Sequence, residues 1–74
     1  MLMGLQCRMA RAALFWSVRE LSERSGVSTT TITRFENDQT VPIKATLIVL
    51  RKTFEEAGVE FINGQAPGVR LHKR

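Results

Sequence analysis

The feature that most constrains this sequence is a short segment, Gly26 to Ser28, where one predicted helix ends and another begins. Ser17 is a good N-cap, and Glu20 three residues later completes a capping box, so a helix is predicted over 18–25. Gly26 provides the left-handed backbone that ends a helix without steric penalty, and Ser28 can cap the next one. The pattern therefore predicts two short helices joined by a turn of about three residues.

The helix after this turn, predicted over 29–36, has two faces of opposite character. Ile32 and Phe35 share one face, which is predicted to be buried. The other face carries polar residues, namely Thr29, Thr30, Thr33 and Arg34. Because β-branched residues lose side-chain freedom in a helix, an exposed cluster of threonines indicates that these side chains make contacts. The alternative is a merely solvated helix face.

Two further helices are predicted on either side of this pair. Strong helix formers occupy 5–15, and the buried stripe of that helix comprises Cys7, Ala10 and Leu14. A turn and a proline precede a longer helix over 43–57, whose predicted core face is Leu47, Leu50, Phe54 and Ala57. The whole apolar run 47–50 is also expected to pack in the core. The aromatic side chains of Phe15 and Trp16, beside the cap of the second helix, are expected to pack in the core or at the hinge.

After Gly58, two short strands are predicted over 59–62 and 68–72, around a turn-rich segment. The predicted fold class is mainly α, a four-helix bundle over 5–57 with a C-terminal β-hairpin and basic tail over 58–74. A chain of 74 residues is expected to form one domain, and a core this small contributes only about 3 to 5 kcal/mol, so a homodimer is expected.

Composition limits the partners of the chain. Eleven Lys and Arg against seven Asp and Glu give a formal net charge of +4, which suits a polyanion but does not distinguish nucleic acid from a membrane surface. No apolar run approaches the roughly 18 residues of a membrane span, so no membrane association is expected. A single cysteine excludes an intramolecular disulfide and a cysteine zinc cluster, and a reducing cytoplasm fits best.

The segment from Trp16 to Leu47 resembles the Cro and phage-repressor type helix-turn-helix, also called the xenobiotic response element family. The resemblance rests on the joint spacing of ten residues: Leu21, Gly26, Val27, Ser28, Ile32, Phe35, Glu36, Asn37, Pro42 and Leu47. It extends back through Gln6 and the segment RMARAAL, and so covers most of the chain.

This resemblance implies a lambda-repressor-like fold and a DNA-binding transcription regulator, most often a repressor that binds a palindromic operator as a dimer. It places DNA contacts at the start and outward face of the recognition helix, at Ser28, Thr29, Thr30, Thr33 and Arg34, with Thr31 turned toward a phosphate. Ser17, Asn37 and Lys44 are further phosphate contacts by resemblance, although Ser17 is equally explained as a helix cap. Arg11 and Glu36 match a structural ion pair of the family.

The sequence departs from the family pattern at three positions. Val18 stands where a phosphate-binding glutamine is usual and Ser22 where alanine is usual, so the second helix is expected to hold DNA more weakly. Asp38 stands where glycine is frequent, and aspartate tolerates the left-handed conformation expected there.

Arg34 is the best candidate for a base contact, since a guanidinium can bond guanine O6 and N7 together. The alternatives are a contact to phosphate and a solvent-exposed arginine that contacts neither. No catalytic residue, metal site or cofactor is predicted, because Glu36 has no second catalytic group in the pattern and Cys7 and His72 are each alone.

Two other functions remain open from the sequence. In an antitoxin, the tail after Gly58 would capture a toxin protein, and in a non-specific or coactivator-type module the fold would not read bases. For a dimer, the apolar residues after Gly58 are the predicted interface: Val59, Phe61, Ile62, Val69 and Leu71. The alternative is a hairpin folded onto its own bundle. Arg70, Lys73 and Arg74 are expected to be exposed and available to phosphates.

Overall fold

The computed structural model describes residues 2–72, and in them four helices precede one antiparallel hairpin. The helices are α1 (Gly4–Leu14), α2 (Val18–Ser25), α3 (Thr29–Glu36) and α4 (Lys44–Glu56), and the strands are β1 (Val59–Asn63) and β2 (Pro67–Leu71). The predicted fold class is confirmed. None of the helices in this part of the chain is long and apolar enough to cross a membrane.

The predicted first and last residues are correct for α2 and α3 and are shifted by one residue or so in the other helices and in the strands. α1 begins at Gly4 and ends at Leu14, because Phe15 takes the left-handed conformation, with φ 58°, and closes the helix. α4 is one residue shorter at each end than predicted. The strands pair from Val59 opposite Leu71 to Asn63 opposite Pro67. Lys73 and Arg74 lie outside the described residues.

The core forms where all four helices and the hairpin meet. Its fully buried large side chains include Leu21, Ile32, Leu50 and Phe54. Phe54 stacks on Trp16 with ring centroids 5.8 Å apart, and Phe61 of β1 meets it edge-on at 5.9 Å. The aromatic contacts therefore connect the start of α2, α4 and the hairpin.

Two core predictions are wrong. Phe15 is 95% exposed, because α1 has already ended and the helical spacing that would place it inside no longer applies. In the run 47–50, Leu47 and Leu50 are buried, but Ile48 and Val49 are 56% and 41% exposed, since a helix turns successive side chains to different faces.

The hairpin packs against its own helical bundle. Val59 and Phe61 are buried and Val69 is partly buried against the same core. The side chain of Gln6 in α1 is wholly buried and holds the hairpin against the helices. Its Nε2 donates to Ile62 O at 3.1 Å, Asn63 Oδ1 at 2.7 Å and Gly68 O at 3.2 Å. The same chain therefore covers Val59, Phe61 and part of Val69, whereas Ile62 and Leu71 stay exposed.

Candidate nucleic-acid interface

The turn between α2 and α3 is formed by the residues that the sequence pattern indicated. Ser17 Oγ accepts from Glu20 N at 3.0 Å, and Ser28 Oγ accepts from Thr31 N at 3.1 Å, so a serine caps each helix. Gly26 has φ 80° and its N–H donates to Ser22 O at 2.8 Å. The predicted capping box at α2 is only half formed, because the Glu20 carboxylate accepts from Arg24 instead.

One face of α3 is polar and exposed, and the opposite face packs in the core. Ile32 and Phe35 are almost wholly buried, at 0% and 3% exposure. On the opposite side, a shallow groove is lined by Thr29, Thr30, Thr33, Arg34 and Gln39. Four of these five residues were predicted as contacts, and the structure brings them together on one exposed surface.

The remaining predicted residues lie at the edges of this groove or away from it. Ser28 is exposed at the start of α3, and its hydroxyl donates to Thr31 Oγ1 at 2.8 Å, so Thr31 takes part in the cap. The groove is not lined by Ser17, Asn37 or Lys44. Lys44 is exposed at the first position of α4.

Gln39 reaches the groove through the turn that ends α3. Asp38 has φ 58°, the left-handed conformation expected for it, and its N–H donates to Phe35 O at 3.2 Å. The next N–H, that of Gln39, donates to Arg34 O at 2.8 Å, which completes a Schellman motif. The turn is predicted from the sequence, but Gln39 is not among the predicted contact residues. The left-handed aspartate was the signal that could have placed it beside the last turn of the helix.

A buried ion pair holds the C-terminal end of α3. Arg11 Nη2 lies 2.6 Å from Glu36 Oε1 and Arg11 Nε donates to Glu36 Oε2 at 2.7 Å, so the contact is bidentate. The Glu36 side chain is 4% exposed and that of Arg11 18%. The hydrogen bond to Glu36 raises the pKa of Arg11. This pair ties α1 to the end of the predicted recognition helix.

Cys7 belongs to the same buried cluster. Its Sγ donates to Glu36 Oε2 at 3.2 Å. Burial, the hydrogen bond to Glu36 and the charge of that carboxylate together raise the pKa of the Cys7 thiol. The thiol is therefore held protonated and acts as a hydrogen-bond donor in the core.

A second arginine of α1 orients Asn37. Arg8 Nη2 donates to Asn37 Oδ1 at 3.0 Å and to the Glu36 carbonyl oxygen at 3.1 Å. A guanidinium has only donors, so the amide oxygen of Asn37 must face Arg8 and its Nδ2 must face away. Asn37 is exposed and therefore presents an N–H donor to the outside.

The exposed cations differ in whether an acidic side chain lies beside them. Within residues 2–72, each arginine except Arg34 has a carboxylate partner, namely Arg8, Arg11, Arg19, Arg24, Arg51 and Arg70. In the same part of the chain, Arg34, Lys44 and Lys52 have no such partner. Two of these three positive charges belong to residues that the sequence analysis selected as DNA contacts.

Comparison with known families matches residues 8–59 to the helix-turn-helix family model. The matched segment runs from α1 through the first residue of β1 and includes all of α2, the turn and α3. The chain therefore belongs to the helix-turn-helix family, as a DNA-binding regulator of the Cro and repressor type, and the predicted resemblance is confirmed. Among curated proteins none matches the chain.

Proposed function

We propose that this chain is a sequence-specific transcription regulator that inserts α3 into the major groove of DNA. The observation that carries the proposal is the polar face of α3, where Thr29, Thr30, Thr33 and Arg34 line one exposed groove while Ile32 and Phe35 anchor the opposite side. A helix fits the major groove, which is about 12 Å wide. DNA binding without catalysis is the function assigned.

Base reading is assigned to the exposed face of α3. Arg34 has no carboxylate partner among the described residues, so its guanidinium is available to guanine O6 and N7. The methyl groups of Thr29, Thr30 and Thr33 suit thymine methyls, and their hydroxyls suit bases or phosphates. Ser28 contributes at the helix start.

Phosphate contacts are assigned to the surroundings of α3. Asn37 offers an outward N–H because Arg8 occupies its oxygen. Lys44 lies at the start of α4, where no side chain caps the helix, so the charge and the helix start both favour a phosphate. Ser17 and Thr31 are the weakest assignments, since both hydroxyls already take part in helix caps.

We further propose that two copies bind together and act as a repressor on an imperfect palindrome, with recognition helices about 34 Å apart. The support is apolar surface that the chain does not cover: Ile62 and Leu71 on the hairpin are 36% and 46% exposed, and Ile48 on α4 is 56% exposed. Because the hairpin already packs on its own core, we assign part of the interface to α4, where Ile48 is exposed. A toxin captured by the same surface stays the competing hypothesis.

The function is tested by selecting bound duplexes from a random pool with the full chain. Enrichment of a motif with two inverted half-sites is the expected result. Binding of the selected and a scrambled duplex is then measured by fluorescence anisotropy at several salt concentrations. Equal affinity for both, with a strong salt dependence, would identify a non-specific module, since phosphate contacts carry no sequence information.

The dimer is tested by light scattering on the full chain and on a variant that combines Ile48→Ser with Leu71→Ser. We expect a dimer for the full chain and a monomer for the variant. Truncation after Gly58 is unsuitable as a test, because it removes Val59 and Phe61 from the core. A full chain that stays monomeric at high concentration would contradict the proposal.

A further inference from the structure

The groove beside α3 contains one residue that does not belong to the helix. Gln39 follows α3 by three positions, yet it lines the groove together with Thr29, Thr30, Thr33 and Arg34. We infer that Gln39 is a base-reading residue that recognises adenine and extends the reading surface beyond α3. The inference rests on the proposed function and adds a specificity determinant to it.

Backbone hydrogen bonds fix the position of Gln39 beside α3. Its N–H donates to Arg34 O at 2.8 Å, and the preceding Asp38 N–H donates to Phe35 O at 3.2 Å. With Asp38 left-handed at φ 58°, this Schellman motif turns the chain back over the last turn of α3. Gln39 is thus held beside Arg34 by two hydrogen bonds of the helix end, rather than placed by a flexible loop.

The side chain of Gln39 is uncommitted. It is exposed, and within the described part of the chain its amide has no hydrogen-bond partner. Two other amides contrast with it: Gln6 is wholly buried and fastens the hairpin, and the oxygen of Asn37 accepts from Arg8. Gln39 therefore lines the groove with both its acceptor oxygen and its donor nitrogen free of partners among the described residues.

The donor and acceptor of a free carboxamide match those of adenine. Adenine presents the N7 acceptor and the N6 donor side by side in the major groove, and a glutamine amide can bond both at once. Gln39 has no charge, so it adds little to affinity for phosphates in general. Its contribution is therefore expected to appear as discrimination between sequences.

The test compares wild type, Gln39→Ala and the neighbouring control Thr40→Ala, each used to select duplexes from a random pool. Thr40 is also exposed but does not line the groove. The wild type is expected to enrich adenine at one position of each half-site, and Gln39→Ala to lose that preference alone. Affinity of Gln39→Ala for the wild-type site should fall by about 5- to 150-fold, with affinity for random DNA unchanged.

The outcomes separate this inference from the proposed function. If the wild type enriches no sequence, both fail. If the wild type enriches a motif and Gln39→Ala enriches it with the same preference at every position, only the inference fails. An equal loss of affinity on selected and random DNA would make Gln39 a phosphate contact and overturn it. Thermal unfolding of Gln39→Ala should match the wild type, since the side chain has no partner among residues 2–72.

Discussion

The two ends of α3 have opposite environments although they belong to one short helix. At its start, Thr29 and Thr30 are exposed, and so is Thr33 about one turn later. At its end, the side chain of Glu36 is 4% exposed and accepts hydrogen bonds from Arg11 and Cys7 of α1. A helix of eight residues is marginal alone, so fixing one end to the bundle is what allows the other face to be polar.

This comparison divides the expected effects of substitution into two groups. Changes at the anchored end should lower the free energy of unfolding and leave base preference unaltered in the protein that remains folded. Changes on the exposed face should alter DNA binding and leave stability unaltered.

Removing either member of the Arg11 and Glu36 pair is expected to have the largest effect. Arg11→Met or Glu36→Leu should each lower the free energy of unfolding by about 3 to 5 kcal/mol, because a charge stays buried without its partner. The double variant Arg11→Met/Glu36→Leu should lose less free energy of unfolding than either single variant. Urea unfolding followed by circular dichroism measures this, with Glu23→Ala, from an exposed pair with Arg19, as control. A single variant as stable as that control would show that α3 is not anchored through this pair.

Gly4→Ala is expected to destabilise the anchored end next. A Cβ at Gly4 would overlap the carbonyl oxygen of Phe35 and lie 3.0 Å from the carbonyl carbon of Phe35, so α1 has to move away from α3. Such overpacking costs about 1 to 3 kcal/mol and outweighs the gain in helix propensity, which is at most about 1 kcal/mol. Gly64→Ala is the matched control, since nothing lies within 4 Å of its Cβ. Equal unfolding midpoints for the two variants would refute the close approach.

Arg34→Ala should affect binding only. We expect it to weaken specific binding by about 1 to 3 kcal/mol and to relax preference at one base pair of each half-site. Its unfolding midpoint should match that of the wild type, because Arg34 has no ionic partner within residues 2–72. An equal loss on specific and random DNA would instead identify a phosphate contact.

The buried thiol of Cys7 is expected to make the free energy of unfolding depend on pH. The folded state raises the thiol pKa above its ordinary value of 9.0, so the unfolded chain releases the proton first as pH rises. The contribution of this pKa difference to the free energy of unfolding is fully present below about pH 9. Above that pH it decreases by about 1.4 kcal/mol per pH unit. The unfolding free energy of Cys7→Ala, measured from pH 8 to pH 10.5, should fall less steeply than that of the wild type. Parallel slopes would contradict the buried thiol.

Lys44→Ala is expected to have the smallest effect. It should lower affinity on all sequences alike and reduce the slope of log K against log salt by about one. Lys52→Ala is the matched control, since Lys52 is another exposed lysine of α4 without a carboxylate partner in the described chain. A changed base preference in Lys44→Ala would refute a phosphate contact.

Local signals in the sequence were sufficient for α2, α3 and their turn. Ser17, Gly26 and Ser28 act within three or four residues of themselves, so their capping roles are readable without the fold. Periodicity also identified Ile32 and Phe35 as the buried face of α3. The same reasoning failed at Phe15, which lies beyond the end of α1, and at Ile48, whose position on α4 is exposed.

The amino-acid sequence by itself determined the class of this protein, because helix caps, the turn glycine and hydrophobic spacing are short-range properties that a family pattern preserves. Tertiary structure decided which polar side chains remain available to DNA. Arg8 meets Asn37, and Gln6 meets the hairpin, across 29 and 57 positions of the chain. The contact of Gln39 spans fewer positions, since the turn after α3 returns this residue to the polar face of the helix. Such partners depend on how the helix ends are packed, and local spacing contains no information about that packing.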